Sequence, residues 1–144
     1  MADRILVPYD ESEQAKVALK HALEKFPEDD VVLLHVIDMM EASYSGNIDG
    51  TLPGYWEEWY EMEEEATDAL FEDAQSIADE YEVELETEST VGRPARSINE
   101  YAEDHDVDHI VIGSHGRTGV GRILLGSVAE TVVRRAPCPV TVVR

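Results

Sequence analysis

Short apolar runs alternate with helical patterns along the whole chain, and this alternation constrains the fold more than any other feature of the sequence. The runs that are typical of β-strands cover residues 5–7, 31–36, 83–91, 109–112 and 140–143. Apolar residues recur at helical spacing over residues 15–26, 54–81, the stretch after Pro94, and 128–135. This order predicts a single α/β domain over residues 1–144, an open, twisted, parallel five-stranded sheet with helices on both faces.

The apolar content of each strand predicts its place in that sheet. Residues 31–36 are nearly all apolar, which is typical of a central strand that is covered on both faces. Residues 83–91 alternate between apolar and polar side chains and are predicted to lie nearer an edge. Ligands of such sheets bind beyond the carboxyl ends of the strands, where the strand order reverses. The loops after the first and the fourth strand are therefore the candidate site.

A glycine-rich loop follows the fourth strand in the least acidic part of the chain. Of the 144 residues, 32 are Asp or Glu, yet none of these lies between His109 and Ala129. Gly113, Gly116 and Gly126, followed by Ser127, have the spacing G-x2-G-x9-G-S. Because glycine lets a backbone approach a ligand closely, and because the first N–H groups of a helix bind anions, this pattern predicts a phosphate site.

Two commoner phosphate motifs are excluded by single residues. A P-loop needs Lys followed by Ser or Thr at the positions where this chain has Arg122 and Ile123. A dinucleotide fingerprint needs a third glycine where this chain has Leu124, and that fingerprint belongs in the first βαβ unit. The glycine loop is therefore of another kind.

The glycine spacing resembles the nucleotide motif of the universal stress protein family, specifically of its ATP-binding branch. The resemblance extends to the segments RILVPYD, LLHVID, VGRP and PCPVTVV, which begin at Arg4, Leu33, Val91 and Pro137. It implies a Rossmann-like sheet, similar to that of adenine nucleotide alpha hydrolases, with the strand order 3-2-1-4-5. It also implies ATP as the ligand, with Mg²⁺ or Mn²⁺ bridging the triphosphate oxygens.

The resemblance implies ligand contacts in five segments of the chain. The residues are Pro8, Tyr9, Asp10, Val36, Gly92, Ile112, Gly113, Ser114, His115, Gly116, Arg117, Gly126, Ser127 and Val128. The phosphates are expected to meet Gly116, Gly126, Ser127 and the N–H of Val128. The Asp10 carboxylate is expected to accept from the ribose or the adenine. The backbone of Val36 is expected to contact the adenine edge, and Gly92 to form a wall of the adenine pocket.

Two of these residues have a second interpretation as helix caps. Ser127, with Glu130 three residues later, has the spacing of a capping box. Asp10, with Glu13 three residues later, is together with Ser12 a candidate N-cap of the first helix. Capping and ligand contact are compatible, so both interpretations stay open at this point.

No catalytic residue and no protein-held metal are assigned. His115 lies in the loop, but the sequence offers no neighbouring carboxylate to orient it and no nucleophile to pair with it. His105 and His109 are interpreted as part of an acid-rich turn rather than a metal site. Arg117 either neutralises phosphate charge or is a solvated loop side chain. A slow ATP hydrolase and a nucleotide-free interaction module stay as alternatives to an ATP-binding switch.

The chain is strongly acidic, with a formal net charge of −21 and a sequence pI of about 4.3. This charge repels nucleic acid and acidic membranes, so neither is an expected partner. Carboxylates lie in every segment, and the chain has only three lysines. These features indicate salt adaptation and a halophilic source, with an acidic mesophilic protein as the alternative.

The remaining expectations concern location and assembly. No leader precedes Arg4 and no apolar run reaches the roughly 18 residues of a membrane helix, which predicts a cytoplasmic protein. Cys138, the one cysteine, is expected to be a small packed side chain. The segment from Val140 to Arg144 is predicted to be an edge strand, and the resemblance implies a homodimer paired through it. The aromatic residues within 39–60 are left between a contact surface, a nucleotide cover and core packing.

Overall fold

The computed structural model describes residues 2–38, 55–115 and 125–144 of the chain. These residues form five strands and four helices that alternate along the sequence. In chain order they are β1 Arg4–Pro8, α1 Glu13–Lys25, β2 Asp30–Ile37, α2 Tyr55–Asp79, β3 Glu86–Val91, α3 Pro94–Asp104, β4 His109–Gly113, α4 Ser127–Arg135 and β5 Val140–Val143. Every strand and helix expected from the sequence is present. The largest shift is at β3, which begins at Glu86 instead of Val83.

The strands form one parallel sheet in the order β3-β2-β1-β4-β5, which confirms the expected order. β1 pairs with β2 over all five of its residues and with β4 at Ile5 and Leu6. The strand order therefore reverses between β1 and β4. β2 is buried from Val31 to Leu34, as its sequence pattern predicted. β3 is an edge strand, as expected, but five of its six residues are exposed instead of alternating between buried and exposed.

Two hydrophobic layers cover the sheet, because alternate residues of each strand point to opposite faces. On one face, α1 and α2 pack over Ile5, Val7, Leu33 and Val111. On the other face, α3 and α4 pack over Leu6, Val32, Leu34 and Ile110. Strand β1 is covered on both sides, which explains why its three inner residues are all apolar.

Helix α1 begins where a side chain can cap it. The Ser12 Oγ accepts a hydrogen bond from the Ala15 N–H at 3.1 Å, so Ser12 is the N-cap and Asp10 is not. The helix ends at Lys25, two residues before Pro27, which could not continue the backbone hydrogen bonds. This cap fixes the direction in which the chain leaves β1.

The carboxyl-terminal part of α2 supplies its core contacts. Ala74 and Ala78 are fully buried. Nearer the start of the helix, Trp56 is 40% exposed and Tyr60 is 42% exposed, and the Trp56 and Trp59 rings meet edge-on at 6.0 Å. Of the interpretations left open for these aromatics, core packing is wrong for Trp56 and Tyr60. Helix α2, like the other helices in the described part of the chain, is too polar or too short to cross a membrane.

Candidate functional site

The candidate site lies at the carboxyl ends of β1 and β4, which are neighbours at the reversal of strand order. Parallel strands end at the same edge of a sheet, so the loop after Pro8 and the loop after Gly113 lie side by side. Such a reversal leaves a crevice between the two loops, because their connections run to opposite faces. The expected location of the site is thus one that this topology provides.

The glycine loop is closed at its base by two backbone hydrogen bonds. The Ser114 N–H donates to the Val143 carbonyl oxygen at 2.8 Å, which ties the end of β4 to the end of β5. The Gly126 N–H donates to the Ser114 carbonyl oxygen at 2.7 Å, which ties the start of α4 to the end of β4. The expected contacts Gly116 and Arg117 lie between these ties, outside the described residues.

The first turn of α4 provides backbone N–H groups next to the end of β4. Gly126 is the N-cap, with φ −63° and ψ 158°, and no side chain caps the helix end. The first N–H to bond within the helix is that of Glu130, which donates to the Gly126 carbonyl oxygen at 3.0 Å. The N–H groups of Ser127 and Val128 precede this bond, and the Ser127 side chain is exposed. Both residues can therefore donate to an anion.

The capping box expected at Ser127 and Glu130 is wrong. The N-cap is one residue earlier, at Gly126, because the Gly126 carbonyl accepts the first helical hydrogen bond. The Glu130 carboxylate instead accepts from Arg134 at 2.9 Å, one turn further along the helix. This ion pair directs the Glu130 charge away from the helix start, where it would repel a phosphate.

Asp10 lies at the end of β1, beside the start of α1. Its Oδ1 accepts a hydrogen bond from the Ser12 N–H at 2.9 Å, and the side chain is half-buried. Asp10 thus forms a turn before the helix, and Ser12 provides the cap. The carboxylate is held in place at the mouth of the crevice by this local bond.

The backbone of Tyr9 lies at the end of β1 beside the candidate site, and its side chain belongs to the core. The ring is 3% exposed and packs under α1 and α2. Burial, followed by the charge of Asp73, raises the pKa of the Tyr9 hydroxyl to about 12. The Tyr9 N–H donates to the Leu34 carbonyl oxygen at 2.9 Å, and the Tyr9 carbonyl oxygen lies 2.8 Å from the His35 Nδ1. The buried Tyr9 side chain is therefore not available to a ligand, and a contact through its main chain stays a prediction.

His35 lies beside the candidate site, and sequence reasoning found no functional signal for it. It lies near the end of β2, and its ring reaches across to the loop that carries Asp10. Its sequence neighbours are apolar strand residues, so periodicity carried no signal for it. Its position at the carboxyl end of a central strand was the one available indication.

Gly113 and Gly92, which are both expected to contact a ligand, lie close to helices. A Cβ on Gly113 would lie 2.8 Å from the Gln14 Cβ and 2.9 Å from the Gln14 backbone, so α1 could not approach β4 as it does. A Cβ on Gly92 would lie 2.6 Å from the Ser97 Oγ, in the first turn of α3. Packing against α1 is thus sufficient to require glycine at position 113, and the ligand contacts expected of Gly113 and Gly92 stay predictions.

The remaining expected contacts surround this centre. Ile112 is 5% exposed, and its side chain packs on the α3 and α4 face, as does the half-buried Val36. The Ser114 Oγ lies 3.0 Å from the His115 Nδ1, so the expectation that no serine pairs with His115 is wrong. Because Ser114 is 5% exposed, this bond orients the imidazole and does not present a hydroxyl to the crevice.

The described residues contain no group of three or more His, Cys, Asp or Glu side chains that could hold a metal ion. His105 and His109 bond within the protein instead. The His105 Nδ1 lies 3.1 Å from the Tyr101 carbonyl oxygen, and the His109 Nε2 lies 2.7 Å from the Thr141 Oγ1. Burial, followed by the neighbouring His21, lowers the pKa of His109.

A parallel α/β sheet whose strand order reverses beside a glycine loop and a helix start defines a Rossmann-like domain. Within that class, the model of the Universal stress protein family matches residues 1–144. The chain belongs to this family.

Relatives from one archaeon illustrate the match. Universal stress protein MJ0577 of Methanocaldococcus jannaschii is 38% identical over 155 residues, which cover 100% of this chain and 96% of that protein. Universal stress protein MJ0531 of the same organism is 38% identical over 143 residues, which cover 98% and 81%. The solved structure of MJ0577 is similar with a TM-score of 0.82 and 35% identity, covering 99% of this chain and 96% of that chain.

Two more distant solved structures share the fold and contain adenine nucleotides. A universal stress protein in complex with cAMP has a TM-score of 0.67 and 21% identity, covering 99% of this chain and 97% of that chain. A family member from Arabidopsis thaliana with AMP bound has a TM-score of 0.67 and 20% identity, covering 97% and 90%. At these identities the likeness is one of fold.

Proposed function

We propose that this protein binds ATP in the crevice between the ends of β1 and β4 and acts as a nucleotide-dependent switch in a stress response. One observation carries the proposal. The 2.7 Å bond from the Gly126 N–H to the Ser114 carbonyl holds the start of α4 against the end of β4. In the proposed site, the first N–H groups of that helix point into the crevice beside Asp10.

The proposed orientation follows from the charges on either side of the crevice. The phosphates lie at the start of α4, where Ser127 and Val128 donate and where the helix dipole is positive. The nucleoside lies toward the carboxylate of Asp10, which accepts from a hydroxyl or amino group and would repel phosphate. Val36 and Gly92, at the ends of β2 and β3, border the adenine in this arrangement.

Backbone donors are strong enough to carry most of the affinity. Hydrogen bonds to a charged group contribute about 1.5 to 3 kcal/mol each, so four of them give roughly 6 to 12 kcal/mol. Micromolar binding needs roughly 8 kcal/mol before the ordering of ligand and loop is counted. The N–H groups at the helix start, the Ser127 hydroxyl and the glycine loop together can therefore supply most of this binding free energy.

Mg²⁺ or Mn²⁺ accompanies the triphosphate in this proposal. The ion lies on the phosphate oxygens, since such ions commonly bind through substrate phosphates and water rather than through an all-protein cage. The chemistry that it supplies is neutralisation of phosphate charge. This matters in a chain whose formal net charge is −21.

The test is direct chemical identification of the ligand. The protein is purified in high salt, bound small molecules are extracted with acid, and ATP binding is then titrated with and without Mg²⁺. Retained or micromolar ATP with negligible phosphate release supports the proposal, and sustained release over hours would indicate a hydrolase. Absence of both retained nucleotide and ATP binding would indicate a nucleotide-free interaction module.

A pair of serine variants locates the binding. Ser127→Ala removes an exposed hydroxyl at the start of α4 and is expected to weaken ATP binding about tenfold. Ser76→Ala is the matched control, because its hydroxyl bonds the Glu72 carbonyl within α2 and is remote in sequence from both site loops. Equal affinities in the two variants would contradict the proposed phosphate position.

The proposal includes a cytoplasmic homodimer paired through β5. β5 is an edge strand of the sheet, and its four residues are half-buried in the single chain. Edge strands present unpaired backbone groups that a second copy can pair. The apolar composition of the strand, Val-Thr-Val-Val, supports a partner at this edge.

A further inference from the structure

The backbone of Tyr9 is held by β2 beyond the point where β1 ends. Its N–H donates to the Leu34 carbonyl oxygen at 2.9 Å, which extends the strand pairing by one residue. Its carbonyl oxygen then lies 2.8 Å from the Nδ1 of His35. The His35 side chain thus takes the place of the backbone N–H that would pair with this carbonyl if the two strands continued.

The contact with the Tyr9 carbonyl identifies which nitrogen of the His35 ring carries a proton. A carbonyl oxygen can only accept, so the His35 Nδ1 carries the proton that is donated to Tyr9. The contact is partly buried and joins residues 26 apart in sequence. It is therefore a long-range tie from β2 to the loop after β1.

The tie continues through Asp10 to helix α1. Asp10 follows Tyr9 directly, and its Oδ1 accepts from the Ser12 N–H at 2.9 Å. Ser12 in turn caps α1 through the Ala15 N–H at 3.1 Å. The Asp10 carboxylate therefore lies between two fixed points, the His35 ring on β2 and the N-cap of α1.

We infer that His35 is a positioning residue that fixes the Asp10 carboxylate for recognition of the nucleoside part of the ligand. This inference rests on the proposed nucleotide site and deepens it. The phosphate side of that site is held by different bonds, from Ser114 to Val143 and from Gly126 to Ser114. Loss of the His35 bond therefore affects nucleoside binding and leaves polyphosphate binding intact.

Two substitutions separate the hydrogen bond from the bulk of the ring. His35→Leu keeps much of the bulk of the side chain but removes the hydrogen-bond donor. His35→Asn places an amide N–H at about the reach of the Nδ1 and restores the donor. His105→Leu is the matched control. The His105 Nδ1, like that of His35, contacts a backbone carbonyl oxygen, here that of Tyr101 at 3.1 Å, near the end of α3.

The first measurement is the affinity of the full-length variants for MgATP and for inorganic tripolyphosphate. His35→Leu is expected to weaken MgATP binding about tenfold and to change tripolyphosphate binding less than about twofold. His35→Asn is expected to remain within about threefold of the parent protein for both ligands, and His105→Leu within about twofold. Equal losses for both ligands in His35→Leu, or no recovery in His35→Asn, would overturn the inference.

The second measurement is amide hydrogen exchange at Ser12, which does not depend on a ligand. His35→Leu is expected to accelerate this exchange at least about fivefold, and His35→Asn is expected to restore the parent rate. Unchanged exchange in His35→Leu would show that the ring does not hold the loop. If the parent protein binds no ATP, the proposed function fails, and the exchange rates alone still decide whether His35 fixes Asp10.

Discussion

The Gly126 N–H donates a hydrogen bond of 2.7 Å to the Ser114 carbonyl oxygen and thereby joins the two ends of the glycine loop. Ser114 is 5% exposed, and its own N–H is bound to β5. The start of α4 is thus attached to the sheet by one short bond at the reversal of strand order. Main-chain groups therefore fix the start of α4 beside the end of β4.

Removal of this one donor is expected to damage both the fold and the site. Gly126 has φ −63°, which proline adopts, so Gly126→Pro removes the N–H without a conflict in φ. The buried Ser114 carbonyl loses its partner, at a cost of about 1 to 3 kcal/mol in unfolding free energy, and MgATP affinity falls about tenfold or more. Denaturant titration and ligand titration measure the two effects.

The control for this prediction is Gly126→Ala, which adds a Cβ but keeps the N–H. We expect it to retain more of the stability and affinity than Gly126→Pro. If the alanine and proline variants lose the same affinity, the effect comes from the added carbon, and the Ser114 bond does not order the site.

Gly113 and Gly92 are expected to differ in their tolerance of alanine. At Gly113 the new Cβ would lie 2.9 Å from the Gln14 backbone, which cannot move without shifting α1. At Gly92 the short contact among the described residues is with the Ser97 Oγ, at 2.6 Å, and a serine can change rotamer. Gly113→Ala is therefore expected to lower the unfolding free energy by about 2 to 3 kcal/mol, and Gly92→Ala by less than about 1 kcal/mol.

The double variant Gly92→Ala/Ser97→Ala tests the reason for that difference. It removes the hydroxyl that the Cβ would meet, so its stability should match that of Ser97→Ala alone. Equal destabilisation by the two single glycine variants in urea titration would show that α1 can move as easily as a serine side chain.

Tyr9 is expected to make stability depend on alkaline pH. Burial raises the pKa of its hydroxyl from 10 to about 12 in the folded protein, so the folded state holds this proton more tightly than the unfolded state. The associated stability is fully present below pH 10 and is lost as the pH rises toward 12, by roughly 2 to 3 kcal/mol. Tyr9→Phe should lack this component of the loss.

The comparison is made with unfolding free energies measured from pH 8 to pH 12 for both proteins. Tyr81 provides the comparison for an exposed hydroxyl, which donates to Glu24 at 3.0 Å. This hydrogen bond also raises the pKa of Tyr81, so Tyr81→Phe is expected to lose some of the pH dependence, but less than Tyr9→Phe, whose hydroxyl is buried. Parallel curves for the parent and Tyr9→Phe would show that the Tyr9 hydroxyl has the same pKa in the folded and the unfolded protein.

The fold was largely predictable because its determinants are local. Burial of β2 and the helical spacing of α1 are both visible in runs of neighbouring residues. The helix start at Gly126 was displaced by one residue in the prediction, because the spacing of Ser127 and Glu130 fits a cap equally well. Backbone geometry decides between these alternatives, and no side-chain pattern reports it.

The crevice at the reversal of strand order was predictable from the sequence, whereas the contacts around it were only partly so. The glycine spacing and the topology located the crevice, but neither could show that Gly113 is required by Gln14, since these residues meet only in the folded chain. The bond from His35 to Tyr9 likewise joins residues that are 26 apart. Interactions of this kind depend on which strands become neighbours, and a single sequence does not display that.

Cys138 is expected to be a poor nucleophile. Burial, followed by the charge of Asp108, raises the pKa of its thiol, so the reactive thiolate is scarcer than in an exposed cysteine. Alkylation by iodoacetamide at pH 8 should therefore be several-fold slower in the native protein than in the unfolded chain. Equal rates would show that the thiol is accessible and unperturbed.

In the proposed dimer, proline substitutions at two neighbouring residues of β5 are expected to have different effects. The carbonyls of Pro139 and Val143 accept from Ile110 and Ser114 in and after β4, so these odd-numbered positions face the sheet. Strand residues alternate in direction, and the N–H of Val142 therefore points outward, whereas that of Thr141 points toward β4.

Proline at the two positions separates assembly from folding. Val142→Pro removes an outward donor and is expected to convert the dimer into a monomer while most of the stability is kept. Thr141→Pro removes a donor to β4 and is expected to lower the unfolding free energy by about 1 to 3 kcal/mol. Sedimentation in high salt, with urea titration alongside, distinguishes the two. A monomeric parent protein, or a Val142→Pro variant that remains dimeric, would show that copies do not pair through β5.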